Sequence, residues 1–258
     1  MAEITAQQVK ELREVTGISM LKCKKALEDA NGDLEKARDI LRKAGEADAA
    51  KRSAREAHEG VVALKIADDN KKAIAVQLFC ETDFVSANEG FACLADDLAS
   101  AALTGVDILN ESAAKIQEAV QKNGENIKLG EVKTLAGATV AGYLHSNKKI
   151  GVLVAGSGNV EVLSDIAMQI AAMNPSVISP EEVSNEDVAK EMEIQKEILA
   201  KEGKPADMIE KILAGKMKKF REEKALLKQP FVKDPSKSVE QFLAENSTKV
   251  EQFVRLAI

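Results

Sequence analysis

The stretch "VVALKIADDNKKAIAVQLFC", Val61 to Cys80, decides the fold. Two apolar, β-prone runs flank Asp-Asp-Asn-Lys-Lys, which is the layout of a β-hairpin. A helix is expected next, over Gly90–Ala102. Further along, "AGYLHSNKKIGVLVAG" (Ala141–Gly156) again sets two such runs around Asn-Lys-Lys, and "EVLSDIAMQIAAM" again supplies a helix. We read a duplicated hairpin-plus-helix unit, with Asn70-Lys71-Lys72 matched to Asn147-Lys148-Lys149. Chance similarity of two turns is the competing reading, and the matched order of elements favours duplication.

Before this core the chain divides into three short helices. Thr5 and Gln8 form a capping-box pattern, and Val9, Leu12 and Val15 share one face until Gly17. Ser19 is placed to cap a second helix, where Met20, Cys23, Ala26 and Leu27 follow helical spacing up to Asn31 and Gly32. Asp33 caps a third, with Leu34, Ala37, Ile40 and Leu41 on one side and Gly45 beyond its end. Residues 1–45 thus make a bundle near the lower size limit of a self-supporting core. Residues 46–59, rich in alanine and charge without an apolar stripe, read as an exposed helical connector.

The core is expected as two related subdomains, 60–139 and 140–182. Residues 183–228 read as two helices around Gly203-Lys204-Pro205. Val188, Met192 and Leu199 line one of them, and Ile209, Ile212 and Phe220 the other. So thin a seam amid lysine and glutamate fits a projecting antiparallel coiled-coil hairpin. The tail, 229–258, ends in a helix and a strand-like run placed to complete the sheet.

The chain has 258 residues, 45% hydrophobic and 30% charged, enough for a real core and for more than one domain. A net charge of -6 and a pI near 5.3 argue against a general nucleic-acid or anionic-membrane partner, since both need a strong basic field. Cys23, Cys80 and Cys93 are odd in number and lack metal-ligand spacing, so neither a disulfide framework nor a metal site is expected. No signal-peptide layout or membrane-length apolar run is present, and we expect a cytoplasmic protein.

His58 and His145 lie in no nucleophile or metal pattern, leaving a histidine or cysteine enzyme the weakest functional class. "VAGSGNV" lacks the spacing of a phosphate loop and reads as a turn. Lysines 22, 24 and 25, and lysines 216, 218 and 219, read as solvated helix faces, either of which can also meet an acidic partner. Phe84, beside Asp83 in "CETDFVS", poses a sharper question in a chain only 3% aromatic. Either it folds inward over the end of the sheet, with Asp83 capping the next turn, or it is kept for a partner's pocket as a wedge. The residues alone leave both open.

The segments "LREVTGISMLKCKKALEDANGDLEKARDILRKAG", "CETDFVS", "YLHSNKKIGVLV", "GKPADMIEKILAGKMKKF" and "QPFVKDPSKSV" together resemble bacterial elongation factor Ts. The resemblance runs in order from Met1 to Ile258, with TDFV and QPFV as its specific signatures. It implies an α+β fold: a ubiquitin-associated-like N-domain, a core of two related subdomains and a coiled-coil module. It implies a guanine-nucleotide exchange factor for the GTPase elongation factor Tu, in its GDP-bound and nucleotide-free forms, and no enzyme, cofactor or metal. In that family the TDFV aspartate and phenylalanine enter the GTPase domain and disturb its magnesium and phosphate sites, so GDP leaves.

By motif these positions are Asp83 and Phe84, with Thr82 and Val85 shaping the loop. The resemblance further implies partner contacts at Met20, Leu21, Lys24, Arg52, Gly124 of the "GENI" segment, and His145. Where the family commonly has an isoleucine before that segment the chain has Asn123, a departure at a point of apolar contact. Leu21, where methionine is frequent, stays apolar. Family members differ in whether they form a homodimer. The alternative to an exchange factor is a protein-interaction module that leaves nucleotide affinity untouched.

Overall fold

The computed structural model describes residues 4–201 and 206–258, without the side chains of 46–51, 206 and 207. The turn expected at Gly203-Lys204-Pro205 lies outside the described residues. At the N-terminus, α1 (Ala6–Thr16), α2 (Met20–Asp29) and α3 (Leu34–Arg52) pack around Leu12, Cys23, Leu27 and Ala37. Thr5 and Gln8 form the full capping box, and Gly17 ends α1 at φ 67, a left-handed conformation that glycine adopts freely. The Asp33 carboxylate accepts from the Lys36 N–H at 3.1 Å, and that bond holds the acid below the ordinary carboxylate range. Ser19 stands at the N-cap of α2, but its hydroxyl makes no capping bond.

Contrary to the expected stop, α3 passes through Gly45 to Arg52, so the first part of the 46–59 connector is the helix itself. The alanine- and charge-rich run that follows favours helix, and a tertiary contact accounts for the glycine itself. A Cβ on Gly45 would lie 1.8 Å from Gln121 Nε2, so the bare backbone lets the helix bearing Gln121 approach closely.

The first half of the core begins with β1 (Glu59–Ile66) and β2 (Lys72–Cys80), paired antiparallel. A single turn, α4 (Asp83–Ser86), and α5 (Glu89–Leu103) follow. Then α6 (Ile108–Glu111) and α7 (Ala113–Asn123) lead to β3 (Lys128–Ala136), an unforeseen strand on the other side of β2. The second half repeats this with β4 (Thr139–Leu144), β5 (Ile150–Ser157) and α8 (Val160–Met173). Its third strand arrives only after α9 (Asn185–Lys201), α10 (Ala206–Lys224), the two short strands β6 (Pro230–Phe231) and β7 (Asp234–Ser238), and α11 (Val239–Glu245). That strand, β8 (Lys249–Ala257), pairs with β5 as the sequence leads one to expect.

The two three-stranded sheets pack face to face through Val62, Ala73, Ala75 and Leu135 on one and Val140, Leu153, Ala155 and Leu256 on the other. Their outer faces are covered by α5 and α8. Strands buried on both faces need apolar residues at successive positions, which is why "VVAL" and "VLVA" show no alternation. Each hairpin turn also reaches into the opposite half. The Val62 N–H donates to the Lys148 carbonyl at 2.7 Å, and the Val140 N–H donates to the Asn70 carbonyl at 2.6 Å.

This reciprocity corrects the register of the duplication. Asn70 and Lys148 both have positive φ, 52 and 56. Asp69 accepts from the Lys71 N–H as Asn147 accepts from the Lys149 N–H. Asp69-Asn70-Lys71 is therefore the partner of Asn147-Lys148-Lys149. The identity match on Asn-Lys-Lys was one residue out, because the turn selects a residue tolerating positive φ rather than a fixed side chain.

In the helical hairpin Val188 and Leu199 are buried on α9, but Met192 is exposed. On α10 the buried side chains among the described residues are Leu213 and Met217; Phe220 packs beside Met217 against Val188 as expected, while Ile209 and Ile212 are only half-buried. Where the chain returns to the core, the fully buried Gln169 clamps the "QPFV" segment. Its Nε2 donates to Gln229 Oε1 and the Pro230 carbonyl, both at 3.2 Å, and its Oε1 accepts from the Val232 N–H at 2.7 Å. Phe231 then stacks on Phe242 with ring centroids 4.0 Å apart.

Candidate functional site

Strand β2 ends in the core at Cys80, and the chain leaves the sheet before starting α5. Thr82 occupies the N-cap position of α4, yet its hydroxyl makes no bond to its own helix. It donates instead to Glu125 Oε1 at 2.5 Å, while Glu125 Oε2 accepts the N–H groups of Glu81 and Thr82, both at 3.0 Å. The exchange is mutual, because Glu81 Oε1 accepts the Asn126 N–H at 2.6 Å. Asn126 also donates through Nδ2 to the Arg55 carbonyl at 2.6 Å, and Arg55 pairs with Glu81 at 3.5 Å. Gly124 makes this geometry available: at φ 75 it ends α7 and turns the chain back toward the loop.

Beneath the loop, the buried Cys80 thiol donates to the Thr82 carbonyl at 3.2 Å. Burial first, and then the Glu125 carboxylate, push that thiol up to about 11. A group so shifted stays a neutral donor at physiological pH and is no nucleophile. At the far end of α4, Ser86 is buried and its Oγ accepts from the Lys149 ammonium at 3.2 Å. Lys149 also bonds the Gly60 carbonyl at 2.9 Å and pairs with Glu59.

Between these two fastenings the side chains divide. Val85 points into the core between β2 and α5. Phe84 points out and is 85% exposed, so the inward-folded alternative does not describe this chain. Among the described residues, the Asp83 carboxylate takes no hydrogen bond or ion pair. Asp83 is the first residue of α4 rather than its cap, and the cap of α5 is Asn88, which accepts from the Gly90 N–H at 2.8 Å.

The other sequence-derived site residues fall into two groups. Gly124 precedes Glu125, which bonds the loop, and His145 lies in the turn that carries Lys149, with no hydrogen bond or ion pair of its own to residues 81–86 among the described residues. His145 is half-buried, bonded by Nδ1 to Asn147 Oδ1 at 3.0 Å and edge-on to Tyr143. Arg52 closes α3 and accepts the Arg55 N–H through its carbonyl at 2.8 Å. Met20 and Leu21, 50% and 79% exposed, and Lys24 sit apart on α2. Among the described residues no hydrogen bond or ion pair joins them to the loop. The Asn123 amide donates to the Ala119 carbonyl at 2.9 Å, so it serves the end of α7.

Comparison with known proteins identifies the family. The family model for "Elongation factor TS" matches residues 81–258, beginning at the loop itself, and a "UBA-like domain" model matches residues 6–41. The chain is also 44% identical to "Elongation factor Ts" of Vibrio parahaemolyticus, over 100% of this chain and 92% of that protein. The chain belongs to the elongation factor Ts family. Proteins of the same name from Pasteurella multocida and Histophilus somni are 47% and 48% identical to it, over all of this chain and 93% and 92% of theirs.

As an elongation factor Ts family member it is a translation elongation factor, built on the α+β plan with a UBA-like N-terminal domain. What sequence reading missed in this family member are the residues that hold the loop: Arg55, Glu125, Asn126 and Lys149. Glu125 and Asn126 sit inside the "GENI" segment, and Lys149 inside the repeated turn. Nothing in the linear pattern pairs them with residues 81–86.

Proposed function

We propose that this chain is a guanine-nucleotide exchange factor that binds elongation factor Tu in the cytoplasm and speeds GDP release by inserting the Thr82–Val85 turn. The observation that supports this most directly is Phe84, an apolar ring held in solvent on a turn fastened at both ends. Of the exposed large apolar side chains among the described residues, Phe84 is the most exposed. Burying it in a partner is worth about 1.5–3 kcal/mol, enough to hold apart elements lining a nucleotide site. Asp83, unpaired beside it, brings a negative charge toward a region that binds magnesium and phosphate. Such charge competes with the phosphate for the cation. No covalent step is involved, and the buried, neutral Cys80 is consistent with that.

Met20, Leu21 and Lys24 on α2, with Arg52, Gly124 and His145, are proposed as further contacts that secure the complex. The exposed apolar pair on α2 also fits the alternative of a module that binds without exchanging. Loss of labelled GDP from elongation factor Tu, with the chain substoichiometric, separates the two. Acceleration is expected, and Phe84→Ala should slow release by roughly tenfold to a hundredfold, the kinetic equivalent of the lost burial. The same variant should melt as the parent does, because an exposed ring contributes little to the fold. Wild-type release by Phe84→Ala would refute the wedge.

A further inference from the structure

The turn bearing Phe84 is too short to hold its own shape. A four-residue helix does not persist in water, because nucleation costs more than so few bonds return. Its N-cap hydroxyl is also turned away from it, toward Glu125. The conformation is therefore set from outside: Val85 anchors the middle of the turn in the core, and two polar fastenings from residues far away in sequence hold its ends. We propose that Glu125 and Lys149 are positioning residues for exchange, fastening the two ends of the Thr82–Ser86 turn so that Phe84 is presented before the partner arrives. This rests on the wedge reading of Phe84.

At the leading end, one carboxylate takes three bonds from two consecutive residues: the N–H groups of Glu81 and Thr82 and the Thr82 hydroxyl. Charge-assisted bonds of this kind fix direction as well as position. At the trailing end the Lys149 ammonium bridges Ser86 Oγ to the start of β1 through the Gly60 carbonyl and Glu59. The duplicated turn provides an internal control. Lys71 occupies the position equivalent to Lys149, and among the described residues its ammonium makes no ion pair or hydrogen bond. In the second half only Gly158 and Asn159 separate strand from helix, so Lys71 has no turn to hold. The Lys149 bridge exists where there is a turn to fasten. Presenting the ring in one orientation removes the ordering cost from the binding step, which is how preorganisation raises affinity and rate.

The test uses the full chain with Glu125→Ala, Glu125→Gln and Lys149→Met. Release of labelled GDP from elongation factor Tu and hydrogen exchange at the Glu81 and Thr82 amides are both measured. Glu125→Ala should slow release roughly tenfold and expose those two amides, while the strand amides of Val76 and Val154 stay protected. The glutamine variant should restore most of both, since its amide oxygen can accept the two N–H groups and its NH2 can donate to the Thr82 hydroxyl. Lys149→Met should slow release with the strand amides still protected. If Glu125 acts through Phe84, the double variant Phe84→Ala/Glu125→Ala releases GDP no more slowly than Phe84→Ala alone.

Exposed loop amides with wild-type release in Glu125→Ala would overturn the proposal while leaving the wedge intact. Should Glu125→Ala loosen the strands, Glu125→Gln and Lys149→Met decide the matter: wild-type release by Lys149→Met, with Phe84→Ala slow, overturns it. Wild-type release by Phe84→Ala sinks the wedge and the presenting role together, and the amide measurement then still reports whether Glu125 orders the turn.

Discussion

The two halves of the core share one plan and differ in what interrupts it. In the first, eight residues separate β2 from α5, and they include α4 with Phe84. In the second, two residues separate β5 from α8. The helices that follow start in the same way, Asn88 accepting from the Gly90 N–H and Asn159 from the Glu161 N–H. The second half has its own interruption, the helical hairpin and the "QPFV" segment inserted between α8 and β8. Scaffold residues thus repeat, and the residues proposed to meet a partner sit largely in what does not repeat. The paired phenylalanines make the point, with Phe84 in solvent and Phe231 3% exposed against Phe242.

The strongest way to break this comparison is to truncate the second ring. Phe231→Ala should cost about 3–5 kcal/mol, the range for a buried phenylalanine, measured by denaturant unfolding, whereas Phe84→Ala should not move the midpoint. Equal losses would mean that the two insertions play the same structural part. A smaller effect is expected between the sheets. Gly151 faces Val62 so closely that an added Cβ would stand 2.5 Å from its Cγ1, while the equivalent position in the first half is already an alanine, Ala73. Gly151→Ala should therefore destabilise by about 1–3 kcal/mol through overpacking. Unchanged stability would show that the halves fit together less tightly than their backbones indicate. The mildest test sharpens the equivalence: Asn88→Ala and Asn159→Ala should each cost ~1 kcal/mol, the usual loss of an N-cap. A large inequality in melting between them would separate the two helix starts.

Much of the architecture was legible because local rules and burial agree. Continuous apolar runs around a polar turn mark a doubly buried hairpin, and Thr5-x-x-Gln8 and Gly17 punctuate a helix by capping chemistry alone. Strand β3 escaped notice because it lies at a sheet edge, with Lys128, Glu131, Lys133 and Thr134 interleaved among few buried residues. The continuation of α3 through Gly45 escaped for a different reason. Glycine often ends a helix, but the alanine- and charge-rich run after it carries this helix on, and the glycine leaves room for the Gln121 side chain of α7. On α10 Phe220 keeps its expected place, and Leu213 and Met217 are buried more deeply than Ile209 and Ile212, because a helix paired on one side buries whichever face its partner meets.

The sequence by itself determined the capping box of α1, the two hairpin-plus-helix units, the family and the loop that carries Phe84, since each depends on residues close together or on a motif read whole. The tertiary structure alone decided that Phe84 stands in solvent, that Asp69-Asn70-Lys71 is the true partner of Asn147-Lys148-Lys149, and that Glu125 and Lys149 hold the turn. These depend on which side chains meet across long separations, such as the 43 residues between Thr82 and Glu125. Composition and periodicity encode burial and local backbone preference but carry no record of that pairing. It arises only when the two sheets pack and bring the end of α7 and the second hairpin turn beside the end of β2.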